Sequence, residues 1–275
     1  GIPIKTKGNN MLIDSFINSK KDNLRPGGSN KTCFIFDEYV LLYGSFKEED
    51  LKKEIIISNK LKQNGISILP TLEYKIVIPA NENGYAKGYI LQPRAKGDWL
   101  YNRNMKDEDY KKRLKQISNM EYTKLDKFIS DWLNIVEAGL QVDPSKGENF
   151  FYSDDGICFI DLNLRQGSRP LKITFLEVVS VLTGLGLVST VTDDVCVKII
   201  KNVARSFSKR GLSANDIHEV LSSHDYLLGN YTNKKQIDSI IKFFTKEQEF
   251  KEASTNLKEE EQITSMKQFR KGRFV

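Results

Sequence analysis

Residues 141–163 read QVDPSKGENFFYSDDGICFIDLN, and this stretch restricts the fold more tightly than any other. A loop rich in Asp, Pro, Lys, Gly and Asn runs into two short apolar segments, Phe150 to Tyr152 and Ile157 to Ile160, divided by Asp154-Asp155-Gly156. An Asp-Gly step between β-prone runs predicts a hairpin. Ahead of the loop, Asp126 to Ala138 sets Phe128, Trp132, Ile135 and Val136 on one helical face, which predicts a buried helix. Asp143, Lys146, Asn149 and Asp161 therefore fall within nineteen residues, three in a loop and the fourth where an apolar strand ends. Asp and Asn cap ordinary turns, so any one of them alone reads as structural. Their joint placement around an apolar ribbon points to chemistry.

Phosphoryl transfer needs this inventory. Two oxygen-bearing side chains hold Mg²⁺ against nucleotide phosphates, a third carboxylate orients or deprotonates the attacking hydroxyl, and a cation offsets charge. The text Asp143-Pro-Ser-Lys146-Gly-Glu-Asn149-Phe-Phe, followed by Phe159-Ile160-Asp161-Leu162-Asn163, resembles the catalytic loop and metal-binding Asp of the protein-kinase-like superfamily, in an atypical or divergent form. The resemblance implies ATP and Mg²⁺ as cofactors, with Asn149 and Asp161 on the metal, Asp143 as base and Lys146 as the charge partner. It spans roughly residues 25 to 185 and implies a bilobal α+β fold.

The rest of the chain agrees in order. Lys31 to Gly44 reads as a hairpin turning at Asp37-Glu38, and Glu48 to Asn64 steps as a helix with Gly65 as its stop. Leu72 to Ile78 and Gly88 to Gln92 are short strands joined by the Asn81–Gly84 turn. This predicts a small antiparallel-sheet N-lobe with one helix over 1–94. A mainly helical C-lobe follows over 95–245, and a charged helical or flexible tail over 246–275. Pro26-Gly27-Gly28-Ser29-Asn30, just before the first long strand, resembles the phosphate-covering turn of aminoglycoside and choline kinases, where glycine lets backbone N–H groups approach phosphate. By the same resemblance the backbone around Gln92, Pro93 and Arg94 contacts adenine, and Leu91 lines the pocket.

Several positions depart from the family pattern. Gln141-Val142 replaces the usual His-Arg or His-Gly, the Asp-to-Asn spacing is one residue longer, and Asn163 stands where Gly is usual. No Ala-Pro-Glu follows Asp161, and about a dozen residues lead to the next helix, too few for a standard activation segment. The third-strand lysine position falls on Tyr43. Lys31 from the preceding strand is the favoured substitute over Lys47 or a lost function, with Glu54 as its helical partner. The leading expectation is transfer of the γ-phosphate of Mg-ATP to a protein or small-molecule hydroxyl. The alternatives are a nucleotide-binding or scaffolding pseudokinase, and AMP transfer by the same fold.

Composition sets the remaining bounds. The 275 residues are 39% hydrophobic and 28% charged with a net charge of +6, enough for a core and too evenly mixed in sign to predict nucleic-acid binding. No apolar run approaches the ~20 residues that span a bilayer. Three scattered cysteines, Cys33, Cys158 and Cys196, build neither a disulfide framework nor a zinc site. They fit the cytoplasm or another reducing compartment, with secretion as an effector left open, and the abundance of Lys, Asn and Ile matches a bacterial coding bias. His218 and His224 lack metal-hydrolase spacing.

Overall fold

The computed structural model describes residues 11–25, 31–164, 169–184, 194–222 and 234–272. Two compact units divide the chain, 1–168 and 169–275. In the first, a short helix α1 (Met11–Asn18) precedes β1 (Leu24–Arg25), β2 (Thr32–Ile35), β3 (Tyr39–Lys47), α2 (Glu48–Gln63), β4 (Glu73–Ile78) and β5 (Tyr85–Pro93). These strands form one antiparallel sheet in the order β1-β2-β3-β5-β4.

Because side chains alternate across a strand, the register decides which residues meet which helix. Leu42 and Phe46 of β3, with Ala86 and Ile90 of β5, pack on Leu51 and Ile55 of α2. Leu41 and Leu91, one position over, pack on Ile13 of α1 from the opposite face, with Phe34 and Tyr43 beside them. The sheet thus carries α1 as well as the expected α2. Leu12, Ile13, Phe16 and Ile17 give α1 its apolar stripe, and the Ile13 N–H donates to the buried Glu73 carboxylate at 2.9 Å.

The chain continues through β6 (Asp98–Trp99), α3 (Asp107–Ser118), α4 (Tyr122–Glu137), β7 (Leu140–Val142), β8 (Phe150–Ser153), β9 (Gly156–Phe159) and β10 (Leu162–Leu164). The predicted hairpin is β8–β9, turning at Asp154–Asp155. The connector after β5 is pinned down: Asp98 and Trp99 pair with Tyr152 and Phe151. A Cβ on Gly97, whose φ is +90°, would lie 2.0 Å from the Tyr152 carbonyl, so both space and conformation require glycine there.

Beneath the hairpin, Phe128 and Trp132 of α4 interlock with Phe150 and Phe159. The Phe128–Phe159 and Trp132–Phe150 rings stack at 5.2 and 5.8 Å, and all four are buried. Offset aromatic contacts add to the area buried.

Every element among the described residues of the second unit is a helix: α5 (Leu171–Thr183), α6 (Asp194–Ser208), α7 (Ala214–Ser222) and α8 (Lys234–Gly272). Every residue of α5 from Thr174 to Thr183 is buried, as suits a helix apolar on most sides. Its one buried acid, Glu177, is held by Arg169. The architecture is the α+β class expected, a small antiparallel sheet followed by mainly helical chain. Phe159→Ala should lower stability by about 3–5 kcal/mol in a denaturant titration; a loss below about 1 kcal/mol would show that the aromatic cluster does not support the hairpin.

Candidate active site

The loop residues are brought together by strand pairing. β7 and β10 are antiparallel, with Leu162 opposite Val142 and Asn163 opposite Gln141. Asp143 follows Val142 and Asp161 precedes Leu162, so the two aspartates leave the same end of the ladder side by side. Asn149 ties in from the third direction. Its Nδ2 donates to the Asp143 carbonyl at 3.1 Å, and its own carbonyl accepts the Ile160 N–H at 3.0 Å. Asn149 is buried and the Asp161 carboxylate exposed. With Nδ2 engaged, the Asn149 amide oxygen is the atom left for a cation, and Asp161 supplies a second oxygen.

Asp143 and Lys146 are half-buried. One carboxylate oxygen of Asp143 accepts from the Ser145 N–H at 2.9 Å and from the Ser145 hydroxyl at 2.6 Å, fixing the side chain's direction and leaving the second oxygen for another partner. The loop is held from behind at Gly147, where a Cβ would come within 2.5 Å of the Tyr101 Cβ and 2.8 Å of its carbonyl. Only glycine allows that approach.

Glu54 comes from α2 and joins this group. Burial pushes its carboxyl up to about 7, the Lys31 ammonium pulls it partly back, and the neighbouring Asp161 carboxylate raises it again. Lys31 precedes Thr32, which faces Tyr43, so it lies on the α2 side of the sheet while Tyr43 packs on the α1 side against Tyr89 at 4.8 Å. Tyr43 therefore cannot stand in for a third-strand lysine. The β3 positions on the α2 side are Val40, Leu42, Gly44 and Phe46, none of them basic.

The residues expected to contact adenine have partners of their own. Leu91 is fully buried in the cluster under α1, and its carbonyl accepts the Leu72 N–H at 2.9 Å. Gln92 reaches Thr71 Oγ1 at 3.3 Å. Arg94 donates its backbone N–H to Glu38 O at 2.8 Å and its guanidinium to Phe36 O at 3.2 Å. Gly27, Gly28, Ser29 and Asn30 fall outside the described residues, as does His224. His218 is exposed on α7. The cysteines are free, and burial pushes the Cys158 thiol up to about 11 and raises Cys33, so neither is a thiolate nucleophile near neutral pH.

Two anchors escape a reading by residue chemistry alone. Asp131 sits on the buried face of α4, accepting the Ser67 N–H at 3.1 Å and Lys127 Nζ at 2.7 Å, while Lys127 also reaches Gly65 O at 3.0 Å. The Ser67–Leu69 segment then pairs with the end of β9: Phe159 N–H to Ser67 O at 2.9 Å, and Leu69 N–H to Phe159 O at 2.7 Å. An aspartate inside an apolar helical stripe, one turn after a lysine, is the signal that identifies the first of these anchors.

Among the described residues no group of three or more His, Cys, Asp or Glu side chains is arranged to hold a metal by itself, and no helix is long and apolar enough to cross a membrane. A cation here would rest on Asn149 and Asp161 together with ligand oxygens.

No protein-family model matches the sequence, and no curated protein matches it. Among solved structures, WaaP in complex with acyl carrier protein is similar over 86% of this chain and 94% of that one, with a TM-score of 0.45 at 13% identity. The Cydia pomonella granulovirus kinase PK-1 is similar over 84% and 91%, with 0.41 at 11%. The Legionella pneumophila effector kinase LegK7 is similar over 86% and 63%, with 0.40 at 13%. These likenesses concern the fold alone. The chain's own order of sheet, helix, pinned connector, loop and hairpin is the order expected from the sequence.

Glu54 gives a pH prediction. Its carboxyl is raised above the ordinary value of 4.5, so the folded state holds the proton more tightly, and stability falls as pH rises from about 4.5 to about 7. Glu54→Gln removes that loss. Without nucleotide or metal, the melting temperature of the variant should gain on the parent across this window and then plateau, corresponding to on the order of 3 kcal/mol at most. Parallel profiles would contradict the buried carboxyl.

Proposed function

We propose that this chain is an ATP-dependent phosphotransferase of protein-kinase-like fold. The observation that carries the reading is the convergence of Asp143, Asn149 and Asp161 at one end of the β7–β10 ladder, with Glu54 close enough to Asp161 and Lys31 for their charges to act on it. Lys31 pairs the nucleotide phosphates and Glu54 holds it there, taking the role that β3 leaves empty. Asn149 and Asp161 would hold Mg²⁺, which supplies charge neutralisation of the phosphates when bound. Asp143, its direction set by Ser145, uses its second carboxylate oxygen to orient an acceptor hydroxyl or take its proton. Lys146 offsets the charge that develops on the transferred group. The acceptor is a protein or small-molecule hydroxyl.

The absence of a basic side chain on the α2-facing side of β3 favours a second reading, a pseudokinase that binds nucleotide without turnover. The two separate by experiment. Mg-ATP should raise the melting temperature, and Asp161→Ala should abolish the shift. Asp143→Ala should keep most of the shift while lowering ATP consumption about 10²-fold or more. Equal consumption by parent and Asp143→Ala would remove Asp143 from the reaction, and a shift without consumption by the parent would favour the pseudokinase. Intact mass after incubation with ATP distinguishes an added phosphate from an added AMP.

A further inference from the structure

A cavity of about 500 Å³ opens beside the β8–β9 hairpin, within the first unit of the chain. Lys112 and Lys115 of α3, Lys124 in the first turn of α4, and Tyr152 of β8 line it. Lys112 and Lys115 are three residues apart, so by helical register they share one face of α3. The cavity is separate from the loop described above. Gly156, at its edge, begins β9, whereas Asp161 follows the other end of that strand.

Arg113 stands next to Lys112 in the chain, its guanidinium 4.4 Å from the centre of the Tyr152 ring. Its Nε and Nη1 are buried and have no hydrogen-bond partner among the described residues. A ring face offsets part of a buried cation's charge but accepts no in-plane N–H, so two donors remain unmet at a cost in free energy. Lys124 donates to the Asp154 carbonyl at 2.7 Å, a neutral acceptor. Glu121 and Asp154 also border the cavity, yet among the described residues neither forms an ion pair with Lys112, Arg113, Lys115 or Lys124. The first turn of α4 holds no acid, so the positive end of its dipole adds to the same field.

We propose that this cavity binds a small phosphate monoester, with the phosphoryl group among the cations of α3 and α4. Four cations against two carboxylates leave a surplus that one phosphoryl group of about −2 balances. Its oxygens are the acceptors that a guanidinium and lysines bind best. The volume is in the range of small-molecule sites and exceeds what the phosphoryl group alone fills. Gln116, Asn119 and Ser153 present amide and hydroxyl groups on the lining, which suits a hydroxylated body on the ester. This site stands independently of the function proposed above.

Calorimetric titration of the full chain, without Mg²⁺ and at low salt, uses ribose 5-phosphate, glycerol 3-phosphate, inorganic phosphate and ribose as probes. At least one of the two esters should bind about tenfold more tightly than inorganic phosphate, and ribose should not bind. Lys112→Glu/Lys115→Glu alters two exposed side chains, so it should keep the parent's melting temperature while binding the ester about tenfold more weakly or worse. Asp161→Ala should bind the ester like the parent, which separates this site from the proposed nucleotide site. Lysine acylation of the parent chain, read by mass spectrometry, locates the ligand: the ester should protect Lys112, Lys115 and Lys124 and leave the exposed Lys87 unchanged. Failure of both esters, inorganic phosphate or ribose binding as tightly as the ester, or full binding by Lys112→Glu/Lys115→Glu would each overturn the proposal. So would loss of binding in Asp161→Ala, or protection confined to other lysines.

Discussion

One short pairing holds the site in place. Ile68 bridges Phe159 in parallel, with the Phe159 N–H on Ser67 and the Leu69 N–H on the Phe159 carbonyl. Residues 67–69 are the exit from α2, and Phe159 is two residues before Asp161. The same peptide units therefore fix where α2 ends and where the strand bearing Asp161 goes. Without this bridge Glu54 and Asp161 would belong to separate parts of the chain. With it, their charges act on each other. The Asp131–Lys127 pair on α4 locks the α2 exit from outside, and the Phe128, Trp132, Phe150 and Phe159 rings lock β9 from below.

This framework explains how a half-buried carboxyl persists at Glu54. An acid in that position costs free energy unless it is neutral or paired. Lys31 is the nearby cation that lowers the cost, and Asp161 raises it. Under the proposed function, a cation bound at Asp161 would offset that repulsion.

Much of this was legible in the sequence because it is local. The β8–β9 hairpin is written in two apolar runs around an Asp-Gly step, α2 in its helical spacing, and the nearness of Asp143 to Asn149 in a short loop. What the sequence leaves open is non-local. Whether Leu91 or Gln92 faces α2 depends on sheet register, and a shift of one residue reverses every side chain. Leu91 went to the α1 face because Ile13 and Phe34 bury it there, and α1 itself is a short segment whose apolar stripe has meaning only against a sheet. Asp131 reads as an interruption of an apolar helix face until the Ser67 N–H that it accepts is known. The sequence favours Lys31 over Lys47 without excluding Lys47, and the side of the sheet on which Lys31 lies follows from the Thr32–Tyr43 pairing.

Under the proposed function, Asn149 and Asp161 hold a divalent ion only in company with nucleotide phosphates. Electron paramagnetic resonance titration of Mn²⁺ tests it most directly, read with protein alone and then with a non-hydrolysable ATP analogue present. Mn²⁺ should bind weakly to the protein alone and at least about tenfold more tightly with the analogue, a gain lost in Asn149→Ala. Mn²⁺ affinity unchanged by the analogue, or a gain retained in Asn149→Ala, would contradict it.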